Sequence, residues 1–161
     1  EREGLDVDTD ELEKRIAICY TGEPRLSGIN NCEVFKKHID GDGEMFELFE
    51  GIRDSAQNVR EGLLANDWDK VSQTMRNAYP NRKRLASTIT TPQMDHLVEK
   101  ALANGAEAAK VCGAGGGGCI AFLCTPGRRK EVESALASEQ GVEVMDWKVA
   151  KEGLVVKESF D

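Results

Sequence analysis

The chain has 161 residues, of which 40% are hydrophobic and 31% are charged, and its formal net charge is −8. This length fits one globular domain with a single core, and the acidic balance argues against a broad nucleic-acid or anionic-membrane surface. No run approaches the roughly 18 apolar residues that a membrane span needs, and nothing resembles a signal peptide. We therefore expect a cytoplasmic protein that binds neither nucleic acid nor membrane.

Five cysteines make an odd number without a C-x-x-C pair, which indicates reduced thiols rather than a disulfide framework. Zinc bound by Cys112, Cys119 and Cys124 is the alternative. Zinc ligands usually come as close pairs, however, and Cys119 and Cys124 would lie on opposite faces of a strand. We expect no metal site in this chain.

The first residues are acidic and show no apolar periodicity before Leu12. We interpret residues 1–11 as an acidic linker or a cut end, and residues 12–161 as one domain. The chain begins with Glu rather than Met, so we expect it to be a piece of a longer protein.

The first half of this domain is predicted to be mainly helical. A strand is expected at 15–22 ("RIAICYTG"), then a polar loop at 23–31 and a short helix at 32–39. A long amphipathic helix follows, marked by one apolar stripe: Met45, Leu48, Phe49, Ile52, Ala56, Val59 and Leu63. A cap at Asn66-Asp67 begins another helix, which Pro80 should end, and a basic connector occupies 81–90.

The second half changes from helical to strand periodicity. Thr91-Pro92 should begin a helix that ends at Gly105, followed by strands at 106–112 and 119–124. A helix capped by Thr125-Pro126 and strands at 142–149 and 153–159 complete the pattern. This order predicts an α+β fold, a ferredoxin-like β-α-β-β-α-β antiparallel sheet with an expanded first helical crossover.

The segment "KVCGAGGGGCIAFLC" (110–124) holds five glycines in six positions. Its G-x-G-x-x-G spacing does not indicate a Rossmann site, because a strand rather than a helix follows, and no Walker A Lys-Ser/Thr is present. Each glycine costs roughly 0.5–1 kcal/mol relative to Ala. We therefore expect a loop whose bare backbone faces a ligand or phosphate, with a structural turn as the alternative.

The same stretch resembles the third motif of the GHMP kinase superfamily, and "TTPQMDHLVEKALANGAEAAK" resembles the helix that precedes it. Further upstream, "CYTGEPRLSG" and "NRKRLASTITTPQMD" resemble the sugar-kinase branch that phosphorylates D-glycero-D-manno-heptose phosphates. The resemblance covers about residues 12 to 158. It implies a C-terminal domain only, with the base, and most contacts to ATP and Mg²⁺, in a missing N-terminal half.

The resemblance also implies site residues. The phosphate-proximal loop would comprise Gly113, Ala114, Gly115, Gly116, Gly117 and Gly118. Substrate-binding residues would be Arg25, Asn81, Arg82 and Lys83, although an exposed loop arginine and a solvated basic connector are the alternatives. No catalytic residue is expected in this chain.

The leading hypothesis is therefore the C-terminal domain of an ATP-dependent phosphotransferase acting on a sugar or heptose phosphate, inactive when isolated. Its partners would be the small sugar phosphate and the missing N-terminal kinase domain, and a homodimer is left open. Two alternatives are a stand-alone ferredoxin-like metabolite-binding module and a fragment of a mevalonate-type kinase.

Overall fold

A four-stranded sheet with six helices forms the structure, a computed structural model that describes residues 4–25, 27–153 and 156. In chain order the elements are α1 (Thr9–Arg15), β1 (Ile16–Tyr20), α2 (Ser27–Ile39), α3 (Gly43–Leu64), α4 (Trp68–Lys83), α5 (Pro92–Ala103), β2 (Ala106–Val111), β3 (Cys119–Cys124), α6 (Arg129–Ala137) and β4 (Glu143–Val144). No helix in these ranges is long and apolar enough to cross a membrane.

The strands lie in the order β2-β3-β1-β4, and each neighbouring pair is antiparallel. β3 is central and pairs with β1 from Ile16↔Leu123 to Tyr20↔Cys119. The crossover from β1 to β2 carries four helices, whereas the crossover from β3 to β4 carries only α6. The predicted ferredoxin-like arrangement with an expanded first crossover is therefore confirmed.

One face of the sheet packs against α5 and α6 and forms the main core. Strand alternation explains which residues enter it, because Ala17 and Cys19 of β1 are fully buried while their neighbours are only partly buried. Phe122, Leu97 and Leu136 are among the largest side chains with no exposed surface. The apolar stripes of two helices and alternate strand positions thus meet in one layer.

The helices α3 and α4 form a hairpin with its own contacts to the sheet. Val71, Ala108 and Leu123 are the buried centre of this contact, and Val59 and Trp68 pack around them. Arg76 donates from Nε to the backbone oxygen of Glu107 at 3.1 Å. The α4 helix therefore runs beside β2, and its C-terminal end approaches the loop that follows this strand.

The prediction that Pro80 ends a helix is wrong, since α4 continues through Lys83. Proline removes only its own N–H bond, and Pro80 lies one turn from the end with its ring exposed. The helix then closes with tight i→i−3 bonds, Arg84 N–H to Asn81 O and Leu85 N–H to Arg82 O, both at 3.2 Å. The predicted basic connector is partly helical as a result.

Other boundaries also differ from the predictions. Residue 12 lies inside α1, which Asp8 caps by accepting the N–H groups of Asp10 and Glu11, and the division into a linker and one domain stays a prediction. The short helix predicted at 32–39 is longer, because α2 begins at Ser27. Helix α6 begins at Arg129, since Thr125 O first accepts the Arg128 N–H in a turn. Most of the strand predicted at 153–159 lies outside the described residues.

Candidate functional site

The glycine-rich loop joins β2 to β3 and is closed at its base by the Cys112 N–H, which donates to Cys119 O at 2.9 Å. All five of its glycines have φ between +70° and +114°; they are Gly113, Gly115, Gly116, Gly117 and Gly118. Side chains other than glycine rarely adopt such backbone angles. The run of glycines is therefore required by the shape of the loop itself.

Backbone hydrogen bonds attach this loop to two other segments. Gly116 N–H donates to Ile89 O at 2.9 Å, and Gly118 N–H donates to Glu23 O at 2.8 Å. Gly118 O accepts the Thr21 N–H at 2.9 Å. The loop is thus held between the chain after β1 and the segment that leads into α5.

Two glycines also permit a very close approach of backbone to backbone. A Cβ atom on Gly115 would lie 2.3 Å from Ile89 O, and one on Gly117 would lie 2.6 Å from Pro24 O. Gly115, Gly116 and Gly117 are buried, whereas Gly113 is exposed and Ala114 partly exposed. The chain's own backbone therefore covers the centre of the loop and leaves only its tip open, and contact of the loop with a ligand or phosphate stays a prediction.

Two arginines from distant parts of the chain meet at Gly113. Arg25, in the loop after β1, places Nη1 2.3 Å from the position that a Gly113 Cβ atom would take. Arg82, in the last turn of α4, donates from Nη2 to Gly113 O. The fold therefore brings two of the predicted substrate residues to the exposed tip of the predicted loop.

These two guanidinium groups lack the carboxylate partners that several other arginines of the chain have. Within the described ranges, neither Arg25 nor Arg82 forms an ion pair, whereas other arginines do, among them Arg15, Arg53, Arg84, Arg128 and Arg129. The Nε atom of Arg82 is buried and lacks a hydrogen-bond partner. A buried donor without an acceptor is costly, so an anion at this tip would find two arginines able to donate to it.

Lys83 and Asn81, the other two predicted substrate residues, do not share the surroundings of Arg25 and Arg82. Lys83 Nζ lies 2.8 Å from both oxygens of Asp95, and Tyr79 donates to the same carboxylate at 3.3 Å. Burial raises the pKa of Tyr79, and the negative charge of Asp95 raises it further. Asn81 is half-buried in the last turn of α4. The structure thus pairs Lys83 with a carboxylate, and both residues remain predictions as substrate contacts.

Several residues that hold the loop carry no signal in the sequence. Glu23 and Ile89 offer backbone oxygens, which no side-chain pattern reveals. Thr91, recognised as a helix cap, accepts the Met94 N–H at 3.2 Å and also hydrogen-bonds the Glu23 carboxylate. Thr91 therefore connects α5 to the loop after β1. Glu23 in that loop in turn accepts the Gly118 N–H.

Comparisons with known proteins indicate the family of this chain. Residues 59–143, slightly more than half of the chain, match the family model described as GHMP kinases C terminal. The chain is 28% identical over 144 residues to a D-glycero-alpha-D-manno-heptose 7-phosphate kinase of Campylobacter jejuni, a match that covers 89% of this chain and 42% of the relative. It is 39% identical over 70 residues to a mevalonate kinase of Pyrococcus horikoshii, covering 44% of this chain and 20% of that protein.

The fold has close counterparts among solved structures. The crystal structure of L. major mevalonate kinase in complex with R-mevalonate superposes with a TM-score of 0.70 at 18% identity, and the match covers 80% of this chain and 40% of that one. The chain thus spans about two fifths of the length of the heptose kinase relative. On the family match, the chain belongs to the GHMP kinases and corresponds to their C-terminal domain.

Proposed function

We propose that this chain is the acceptor-side domain of an ATP-dependent kinase that phosphorylates a heptose phosphate or a related sugar phosphate. The observation that carries the proposal is the meeting of Arg25 and Arg82 at Gly113. Neither guanidinium forms an ion pair among the described residues, in a chain whose net charge is −8. The positive charges of Arg25 and Arg82 offset the negative net charge of the chain locally, so an anion can bind beside Gly113.

The chemistry of phosphoryl transfer fits this arrangement. The reaction depends mainly on positioning the two substrates and on stabilising charge. A guanidinium can bind the phosphate already present on the acceptor through two parallel hydrogen bonds, which fixes both its place and its orientation. Arg25 and Arg82 would anchor that phosphate, and the acceptor hydroxyl would then lie at a set distance from the tip of the loop.

ATP and Mg²⁺ would be held mainly by a partner domain that precedes this one in the whole kinase. Gly113, which is exposed, and Ala114, which is partly exposed, form the tip of the loop and would face the triphosphate, while the buried Gly115–Gly117 stretch fixes the shape of that tip. We assign no catalytic base to this chain. On its own the domain would therefore bind an acceptor weakly and would not consume ATP.

A mevalonate-type acceptor is the second candidate, supported by the 39% identity to a mevalonate kinase. That match covers 44% of this chain, whereas the match to the heptose 7-phosphate kinase covers 89%. The wider match includes more of the chain, so we favour the sugar phosphate. A stand-alone metabolite-binding module would instead bind its ligand tightly without any partner domain.

Calorimetric titration with a hexose 6-phosphate tests the anchoring step. Two charge-assisted contacts of about 1.5–3 kcal/mol each correspond to a Kd between roughly 40 μM and 6 mM. Arg25→Gln and Arg82→Gln should each raise the Kd by about tenfold or more. Arg84→Gln is the matched control, because Arg84 is a neighbouring arginine whose partner is Glu44. Equal affinity of all four proteins would contradict the proposal.

A further inference from the structure

A second feature near the loop is a cavity of about 420 Å³ between α3, α4 and β2. Ligand-binding cavities usually enclose roughly 300–1,000 Å³, so this one is large enough for a small molecule. Its walls are mostly apolar and include Ile52 and Val59 of α3, Met75 and Ala78 of α4, and Val111 of β2. Nothing in the proposed phosphotransfer chemistry uses these side chains.

The apolar walls restrict what the cavity can hold. A sugar carries a hydroxyl on nearly every carbon, and each hydroxyl buried without a partner costs free energy. Ser55, Thr74 and Tyr79 are the hydroxyl-bearing residues at the cavity, and the Tyr79 hydroxyl is already bonded to Asp95. The body of a ligand in this cavity should therefore be a hydrocarbon rather than a sugar.

One end of the cavity is cationic. Arg82 and Lys110 both line it, and both lie toward the glycine-rich loop, since Arg82 bonds Gly113 and Lys110 stands three positions before that residue. In the described part of the chain neither cation has a carboxylate partner within ion-pair distance. The unpartnered Nε of Arg82 belongs to the same side chain. The cavity thus combines an apolar interior with a positive end.

We propose that this cavity is a second ligand site, which binds a medium-chain amphipathic anion. The hydrocarbon chain lies between α3 and α4, and the carboxylate or phosphate head lies at Arg82 and Lys110. Burial of apolar surface supplies affinity, and the two cations select an anionic head over a neutral one. Because Arg82 also reaches Gly113, an occupied cavity would compete with the acceptor phosphate for this side chain.

Calorimetry on the full chain with octanoate and octyl phosphate tests the proposal, and octyl glucoside serves as the neutral comparison. Both anions should bind, and octyl glucoside should bind about tenfold more weakly or worse. Ala78→Leu, which fills the cavity, should weaken octanoate binding by about tenfold or more. Ala137→Leu makes the same change at an exposed position of α6 and should leave the Kd unchanged. Ala56→Leu, at the exposed mouth, replaces Ala78→Leu if that variant unfolds.

The two proposals fail separately. Arg25→Gln should raise the Kd for the hexose phosphate by about tenfold or more and leave octanoate binding intact. Ala78→Leu should weaken octanoate binding and leave hexose phosphate binding intact. The second site is overturned if octanoate does not bind, if octyl glucoside binds as tightly as octanoate, or if a folded cavity-filling variant keeps its affinity for octanoate. These results would leave the hexose phosphate titration and the proposed phosphotransfer role unaffected.

Discussion

Ile89 and Gly115 are in direct backbone contact, and the Ile89 carbonyl oxygen lies 2.3 Å from where a Cβ atom of Gly115 would stand. The same oxygen accepts the N–H of the next residue, Gly116, at 2.9 Å. Ile89 is itself buried in a cluster with Leu85 and Met45. The shape of the glycine-rich loop therefore depends on the segment between α4 and α5, which is distant in sequence. Not every glycine of the chain is under such a constraint.

Gly115→Ala should destabilise the fold strongly. The added methyl group meets a backbone oxygen that cannot rotate away, and φ at this position is +84°. We expect a loss of roughly 2 kcal/mol or more in the free energy of unfolding, measured by urea denaturation. A loss below about 0.5 kcal/mol would contradict this account of the loop.

Gly51→Ala, the matched change in a helix, should stabilise the protein instead. Gly51 lies inside α3, and a Cβ atom added there meets no atom within 4 Å. Alanine should add about 0.5–1 kcal/mol because it restricts the unfolded chain more than glycine does. The same urea denaturation measures this gain. Destabilisation would show that α3 is packed more tightly at this point than the structure indicates.

The pairing of Glu139 with α5 predicts a specific pH dependence. The Lys100 ammonium hydrogen-bonds Glu139, and His96 Nε2 lies 3.2 Å from its other oxygen. Both interactions, that of Lys100 first, lower the pKa of Glu139 below its ordinary value of 4.5. A carboxylate with a lowered pKa stabilises the fold fully above that ordinary value, and this contribution is lost as the pH falls through the folded-state pKa.

Lys100→Met isolates this contribution. The difference in unfolding free energy between the original chain and the variant should be constant near neutral pH and should shrink as the medium becomes more acidic than 4.5. Urea denaturation at a series of pH values measures it. A difference that stays the same across the acidic range would show that the ion pair does not couple to folding.

Thiol reactivity should follow burial. Cys19 and Cys124 are completely buried, and burial raises the pKa of the first to about 12 and that of the second to about 11. Cys32 is exposed on α2. At about pH 8, iodoacetamide should label Cys32 first and reach the two buried thiols only in denaturant, because the thiolate is the reactive form. Peptide mass spectrometry reads out the order, and rapid native labelling of Cys19 would contradict the packing of β1.

Much of the fold could be predicted from periodicity and capping. The change from helical to strand periodicity located β2 and β3 within a residue, and Thr91-Pro92 marked the start of α5. Pro80 predicts the end of a helix, because proline usually terminates helices, but α4 continues past it. Near the end of a helix, proline removes only a single hydrogen bond. The sequence pattern predicts the C-terminal part of α2, whereas the polar residues of its first turn are typical of a loop.

The site was harder to predict. Glycine content indicated a special loop, but tertiary contacts decide which glycines face outward. Arg25 and Arg82 were singled out from the resemblance, whereas their meeting at Gly113 depends on the packing of α4 beside β2. The partner of Lys83, Asp95, lies one helix further on and could not be paired with it from sequence spacing.

The most direct measurement of the central claim is a kinase assay on a chimera, in which this chain replaces the matching segment of the Campylobacter jejuni heptose 7-phosphate kinase. We expect ADP formation that depends on heptose 7-phosphate, exceeds the rate with mevalonate, and falls by about tenfold or more in Arg25→Gln but not in Arg84→Gln. A folded chimera that consumes no ATP with heptose 7-phosphate would contradict the central claim. So would a chimera whose rate of ADP formation is unchanged by Arg25→Gln.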